Sequence, residues 1–493
     1  MTVFELFGHP PLFQSLFLPL EICYNLFMNV IVSKSKLSGA ITVPGSKSHT
    51  IRALLLATIA DGVSHIKNPL PSADCLSTAA AVPLIGSEVD LNLSTEGEPG
   101  TEWIVNGAGK NLHLPDDVVN VGDSGSLLYF LTPIAACFEG TSVFTGDASI
   151  RKRPVLHVVD ALNQLGANCF VTRPGANGCP LVITGSIKKG GTVRTPGEIS
   201  SQYISGLMMA GILTENPIKL ELSNPKETPY LTMTQKWLEK VGVESSVSAD
   251  FRHIEVTPCK SFKGFDVTIP SDWEGVAFPL IAALMTDSKI TIENVDSSGT
   301  QGDDAIVEIL QSIGGDIIWK KDEETLTVAG GKCSKDGIGR LSTENLPNGE
   351  IHVNVSGFPD AVCAISAIAC FTEGTVVIED AAVCRRKETD RLKVLNIELS
   401  KLGAEIEERE DSLIIHGHSP VLKDGSPNPA FKMHGGICQS YDDHRMAMSL
   451  ACLGLGLAES ESLIINDAEC CSVSFPHFYD VMKTIGANYK EEV

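Results

Sequence analysis

One supersecondary unit recurs six times along the 493 residues, and that repetition constrains the fold more than any other feature. Each copy reads as a short strand, a Ser/Asp/Gly turn, a helix of small apolar residues, a break containing glycine and a second strand. The copies begin near Ser46, Ser124, Ser200, Asp272, Asp360 and Asp443, at intervals of roughly 70 to 90 residues. Asp272-Trp-Glu-Gly-Val-Ala-Phe-Pro-Leu-Ile-Ala-Ala-Leu-Met runs into Lys289-Ile-Thr-Ile-Glu-Asn, just as Pro359-Asp-Ala-Val-Cys-Ala-Ile-Ser-Ala-Ile-Ala-Cys runs into Gly374-Thr-Val-Val-Ile-Glu-Asp. Polar residues sit at the helix start and the remainder is apolar. This pattern predicts helices buried on most sides with a charged or hydroxylic tip. No low-complexity linker divides the chain, and each half carries three units, so the expectation is an α/β protein of two similar lobes.

Composition narrows the function classes. Hydrophobic content of 43% against 20% charged residues supports a sizeable core, and a net charge of −23 argues against nucleic acid or an anionic membrane surface as partner. Any anionic substrate must be drawn in by a local basic cluster. The 14 cysteines lack the CxxC pairs of a zinc ribbon, and Cys137, Cys363, Cys370 and Cys452 lie inside apolar helical runs, so reduced core thiols in a cytoplasmic protein are expected. Residues Met1 to Phe27 stand outside the pattern. They are rich in Phe and Leu but broken by Pro10, Pro11 and Pro19, with neither a basic n-region nor a clean spanning run, and read as a leader or an over-called start.

Several helix starts carry chemistry. In Val43-Pro-Gly-Ser-Lys-Ser-His-Thr-Ile-Arg52 a turn leads into a capped helix, where free N–H groups, the Ser46 and Ser48 hydroxyls and the Lys47 and Arg52 cations suit an anion. An ordinary N-cap with solvated charges is the alternative reading. The second unit, Val121-Gly-Asp-Ser-Gly-Ser-Leu-Leu-Tyr129, is followed by the basic loop Ile150-Arg-Lys-Arg-Pro154, of which Arg151 and Lys152 read as a solvated face, ahead of a helix over Val155 to Leu165. Ser200-Ser-Gln202 opens the third helix, and Lys226-Glu-Thr-Pro-Tyr230 precedes a helix from Thr232 to Val241. Asp360 opens the fifth, where a cap would contribute about 1 kcal/mol. Arg385-Arg-Lys-Glu-Thr-Asp-Arg391 leads into a helix over Leu392 to Leu402, with Glu388 at i,i+3 from Arg391. Asp443-His444-Arg445 opens the sixth.

Taken in order, Gly-Ser-Lys-Ser, Lys-Arg-Pro, Ser-Ser-Gln-Tyr, Thr-Pro-Tyr, Pro-Asp-Ala, Arg-Lys-Glu-Thr-Asp-Arg, Asp-His-Arg-Met-Ala-Met and Phe-Pro…Tyr resemble the EPSP synthase (3-phosphoshikimate 1-carboxyvinyltransferase) family from about Met28 to the C-terminus. The resemblance implies two lobes of three βαβαββ units each, an inside-out barrel-like arrangement closing on substrate. One lobe would span 46–270 and the other 28–45 plus 271–493. It implies enolpyruvyl transfer from phosphoenolpyruvate to the 5-hydroxyl of shikimate 3-phosphate, in the shikimate pathway to aromatic amino acids, by a monomer without cofactor or metal. Asp360 would be the base, with Glu388 and Lys47 handling the other proton. Lys47, Ser48, Arg52, Ser200, Ser201, Gln202, Tyr230 and Lys387 would hold the phosphorylated sugar acid; Arg153, Arg391, Arg445 and the Gly125 backbone would hold phosphoenolpyruvate, with His444 alongside.

The chain departs from the family pattern at four places. Gly122-Asp-Ser-Gly-Ser-Leu-Leu-Tyr129 replaces an Asn by Asp123 and an Arg by Tyr129, Val473 stands where a Lys precedes Thr-Phe-Pro, Glu227 replaces a Ser, and Val383 replaces an Asn. With two cations gone from the phosphoenolpyruvate side, a related transferase or lyase on another cyclic acid, or a weakly active binding paralogue, are the competing readings.

Overall fold

A computed structural model describes residues 28–95 and 97–492. The leader proposed for Met1 to Phe27 lies outside the described residues.

The six repeats become six four-stranded sheets, all of one topology: a first strand parallel to the second, with the third and fourth added antiparallel. The second sheet, for example, runs Val119–Asn120, Thr141–Thr145, Leu181–Thr184, Asn168–Val171, and the fifth Glu350–Asn354, Gly374–Glu379, Leu413–Gly417, Glu405–Glu408. In four of the sheets a helix connects the two parallel strands, the usual crossover for parallel pairing. Three sheets are completed by distant chain, the fourth sheet by Ser38–Thr42 lying parallel to Lys289–Glu293. Asp266–Thr268 supplies the first strand beside Asp61–Lys67, while Asn29–Ser33 inserts between Ser462–Asn466 and Asn488–Glu492 in the sixth sheet. Sequence periodicity could not show these pairings, because they join segments about two hundred residues or more apart or from opposite ends.

The helices that begin the units are Lys47–Ile59, Gly125–Ala135, Ser201–Ala210, Trp273–Leu284, Val362–Ala369 and His444–Leu455. Every residue of Gly125–Ala135, Trp273–Leu284 and His444–Leu455 is buried, so these helices pack on all sides and their small residues set how closely they approach. An added Cβ on Gly206 would lie 2.2 Å from the Tyr129 carbonyl oxygen, which shows how tightly Gly125–Ala135 and Ser201–Ala210 pack together. The buried apolar residues form two clusters. One runs from Ile51 to Ile269; the other joins Val30–Val43 to Trp273–Tyr489. The chain passes between them at Gly45 and again at Ser271, and these two residues bridge each other.

Local details correct several expectations. Ser46 makes no side-chain cap bond; its carbonyl instead accepts from the Thr50 hydroxyl at 2.8 Å. Ser124, Ser200, Asp272 and Asp443 do cap. Asp360 does not: it lies in the short 3-10 turn Pro359–Ala361, and its carboxylate points to cations from other elements. The helix expected from Thr232 starts at Thr228, since Pro229 at its first turn fits a helix start, and this places Tyr230 on the helix. The two later helices shorten or shift by a residue, to Leu156–Gln164 and Arg391–Lys401. All 13 described cysteines are free and all but Cys259 and Cys333 are buried, as the apolar runs around them led us to expect. No helix of the described residues is long and apolar enough to cross a membrane.

Candidate active site

The tips of the central helices converge where the two clusters face each other, and a continuous chain of charges crosses between them. Arg153, at the end of the basic loop, donates to Glu388 Oε1 at 3.0 Å, and Glu388 Oε2 accepts from Arg391 at 2.7 Å. Arg391 then donates to Asp360 Oδ1 at 2.5 Å, and Asp360 Oδ2 accepts from Lys387 Nζ at 3.2 Å. Lys387 also donates to Glu227 Oε1 at 3.0 Å, and Glu227 Oε2 accepts from the Ser201 backbone N–H at 2.8 Å and its hydroxyl at 3.0 Å. Residues far apart in sequence thus form one line, with cation and anion alternating along it.

Arg391 anchors this line. Its side chain is wholly buried, and beyond Asp360 and Glu388 it donates from Nε to Asp443 Oδ2 at 2.8 Å and from Nη2 to Oδ1 at 3.2 Å. A buried guanidinium with three carboxylates is fixed in orientation, because its planar fork matches each in turn. Burial would raise the carboxyls of Asp360 and Glu388, yet Lys387 and Arg391 hold Asp360, and Arg391 and Arg153 hold Glu388, well below the usual carboxylate range. Both are ionised. Burial opposes the charge on Lys387, but Asp360 and Glu227 more than offset it and keep its ammonium protonated above the ordinary range.

Around this line stand the other residues singled out from sequence. Lys47 lies 3.7 Å from Asp74, while its backbone N–H donates to Asp272 at 3.3 Å. Asp74 in turn accepts from the Ser124 hydroxyl. Gly125 begins its helix directly under Arg153, where a Cβ would come within 2.5 Å of Nη1; only glycine lets the guanidinium rest there. Ser200 caps its helix through Gln202 N–H, and the Gln202 amide donates to Ser126 at 2.9 Å. Tyr230 donates to Glu274 at 2.8 Å, and Glu274 contacts Arg445. His444 Nδ1, Arg445 Nε and Asp303 Oδ1 are buried with no hydrogen-bond partner among the described residues. Burial, then Asp360 and Asp272, push the Asp303 carboxyl well above its ordinary value, and burial pulls the His444 imidazole down.

Arg52, Tyr129 and Val473 do not reach the charge line. Arg52 is buried beneath the first helix, where Thr234, Ser205 and the Tyr230 carbonyl accept from Nε and Nη2, while Nη1 donates to the Ser48 carbonyl at 2.9 Å. Burial lowers it to about 9. It ties Ser48 to the Tyr230 helix. Tyr129, which stands where the family pattern has arginine, donates its hydroxyl to the Pro154 carbonyl at 2.7 Å and so braces the loop that carries Arg153. Val473 ends the short turn Ala468–Val473 and is half-buried. Arg151 and Lys152 are exposed, as expected of a solvated face.

Sequence reasoning missed the acidic partners Asp74, Glu274, Asp303 and Asp443 and gave Glu227 only as a substitution. An acid two residues into an apolar helix, as Glu274 follows Asp272, was the one available signal.

Comparisons with known proteins bear on the family and the fold. A family model described as EPSP synthase (3-phosphoshikimate 1-carboxyvinyltransferase) matches residues 31–482. A protein of Methanococcus maripaludis named 3-phosphoshikimate 1-carboxyvinyltransferase is 35% identical over 465 residues, covering 94% of this chain and 99% of its own. One of that name from Ruminiclostridium cellulolyticum is 35% identical over 455 residues, covering 92% and 98%. Among solved structures, an EPSP synthase from Acinetobacter baumannii superposes with a TM-score of 0.77 at 26% identity, covering 95% of this chain and 100% of that one. With a fold, a motif order and relatives that coincide over nearly its whole length, the chain belongs to the EPSP synthase family.

Proposed function

We propose that this protein transfers the enolpyruvyl group of phosphoenolpyruvate to the 5-hydroxyl of shikimate 3-phosphate and releases inorganic phosphate. The observation that supports this most is the charge line from Arg153 to Ser201, which puts cations and ionised carboxylates side by side where the two halves meet. Two anionic substrates need such cations, and an addition–elimination needs groups that take and return protons.

In the addition, the hydroxyl oxygen bonds to C2 of phosphoenolpyruvate, its proton leaves to a base, and the methylene carbon gains a proton to become a methyl group. Elimination then breaks the C–O bond to phosphate, and loss of a methyl proton restores the double bond. Asp360 is ionised and is the base for the hydroxyl. Glu388 cannot start as the acid, because Arg391 and Arg153 hold it ionised. We assign the first proton to Lys47, whose charge also acts on Glu388. Glu388 becomes the acceptor for the methyl proton. We assign Arg153, His444 and Arg445, whose Nε has no hydrogen-bond partner among the described residues, to the phosphoenolpyruvate subsite, and Ser200, Ser201, Gln202, Tyr230 and Lys387 to the sugar phosphate. All these groups come from one chain, so a monomer suffices.

The test is phosphate release on mixing the purified protein with both substrates, beside rescue of an aromatic auxotroph. Release that depends on both substrates is expected. Its absence, with the folded protein binding neither ligand, removes this reading.

A further inference from the structure

Glu227 is an anion held where an anion-binding set of donors converges. The helix Ser201–Ala210 begins there with its Ser201 N–H and hydroxyl both directed to Glu227 Oε2, at 2.8 and 3.0 Å, and Lys387 Nζ lies 3.0 Å from Oε1. A backbone N–H at a helix start, a hydroxyl and an ammonium make a set that would suit a phosphate oxygen as well as a carboxylate. The Glu227 side chain is only 5% exposed. Its backbone adopts φ +51°, a left-handed conformation unfavourable for glutamate, and its N–H donates to the Ser356 carbonyl at 2.9 Å. The chain therefore accepts backbone strain to put a carboxylate at this place.

We propose that Glu227 is an internal stand-in for the phosphate of the sugar substrate, which must displace the carboxylate from Ser201 and Lys387 before it can bind. This rests on the function proposed above. A phosphate cannot share the three donors with a resident carboxylate, because like charges brought to contact in a closed site repel strongly. Displacement also frees Lys387 from one of its two carboxylates and leaves it with Asp360 and the incoming phosphate. Glu227 thereby sets affinity and selectivity for the phosphorylated substrate without touching the reacting atoms; it is a positioning residue.

The experiment compares wild type with Glu227→Gln, which keeps the shape, and Glu227→Ser, which empties the place. Calorimetric titration with inorganic phosphate needs no turnover. Both variants are expected to bind phosphate at least tenfold more tightly than wild type, and adding Lys387→Met to either is expected to abolish that gain. Steady-state kinetics should show the KM for shikimate 3-phosphate falling by a similar factor, with the KM for phosphoenolpyruvate changed much less. A general structural role for Glu227 would move both constants and the unfolding midpoint together. Folded variants whose phosphate affinity equals or falls below that of wild type overturn the proposal. Wild type that fails to release phosphate from the two substrates, while the variants still gain phosphate binding, removes the functional reading and leaves the internal anion standing.

Discussion

As the proposed base, Asp360 has to be basic enough to take a proton from an alcohol, yet Lys387 and Arg391 hold its carboxyl well below the usual range. The two cations thus keep it in the correct ionised form but make it a weak base. If the sugar phosphate displaces Glu227 as proposed, its larger negative charge beside Lys387 offsets more of the field that Lys387 exerts on Asp360, and the basicity of Asp360 should rise at the moment the hydroxyl arrives. Asp360→Asn keeps the shape and loses the proton acceptor, so kcat is expected to fall about a hundredfold or more with the KM values changed less. Near-normal turnover in that variant would reassign Asp360 to holding Arg391 and Lys387. A second residue makes a pH-dependent prediction. His157 is buried between the Tyr129 and Tyr203 rings with Nε2 unpartnered, and burial, with Arg386 nearby, lowers it to about 4. Its folded value lies below its unfolded one, so the unfolded chain takes up the proton first, and the stability present above about pH 6.5 is lost as pH falls toward 4. His157→Phe keeps a ring there and cannot titrate. The urea-unfolding free energy of wild type relative to this variant is expected to drop by up to about 3 kcal/mol over that window, and a pH-independent difference would refute it.

At the scale of elements, the site depends on how closely the central helices pack, because their tips carry the functional groups. Gly206 lets Ser201–Ala210 approach the Tyr129 carbonyl, and neither backbone can move locally to admit a methyl group. Gly206→Ala is expected to part the two helices and cost roughly 1 to 3 kcal/mol, read as a lower urea midpoint, while shifting Gly125 and Ser201 relative to each other and raising the KM values. An unchanged midpoint would mean that the helices slide freely. These helices were legible in sequence because the signal is local: a Ser or Asp, then a run of Ala, Leu, Ile and Cys without charge. The placement of Asn29–Ser33 in the sixth sheet and Asp266–Thr268 in the first was not legible, since strand pairing is decided by partners that share no sequence window. The same divide runs through the site. Motif order pointed to Lys47, Arg153, Asp360, Lys387, Glu388 and Arg391, and the structure strings five of them along one line. Nothing near Glu274 or Asp443 in the chain announces that each faces a particular arginine from another unit of the same half. Asp360 read as a cap by position, and only the 3-10 turn that precedes its helix shows why it is free to face Lys387.

For the whole molecule, what holds the two halves together differs in kind from what holds each half. Each half has its own apolar core, whereas the named contacts between them are polar: Arg153 with Glu388, Lys387 with Glu227, Lys226 with Asp380, Tyr230 with Glu274, and the Lys47 N–H with Asp272. Only two chain crossings, at Gly45 and Ser271, join the cores covalently. Partly exposed ion pairs weaken as salt screens them, while apolar cores do not. Raising the salt from about 0.05 M to about 1 M is therefore expected to expand the ligand-free protein in small-angle scattering without unfolding it, as the circular dichroism stays constant. Lys226 and Asp380 lie outside the charge line and are 25% and 34% exposed, so Asp380→Asn should move the expansion to lower salt without touching the reacting groups. Shikimate 3-phosphate with phosphoenolpyruvate should reverse the expansion, because their charges replace the screened carboxylates as the glue between the halves. A radius of gyration that stays the same at every salt concentration, with and without the substrates, would mean that the halves form one rigid body, and substrate entry would then need a route other than opening of the cleft.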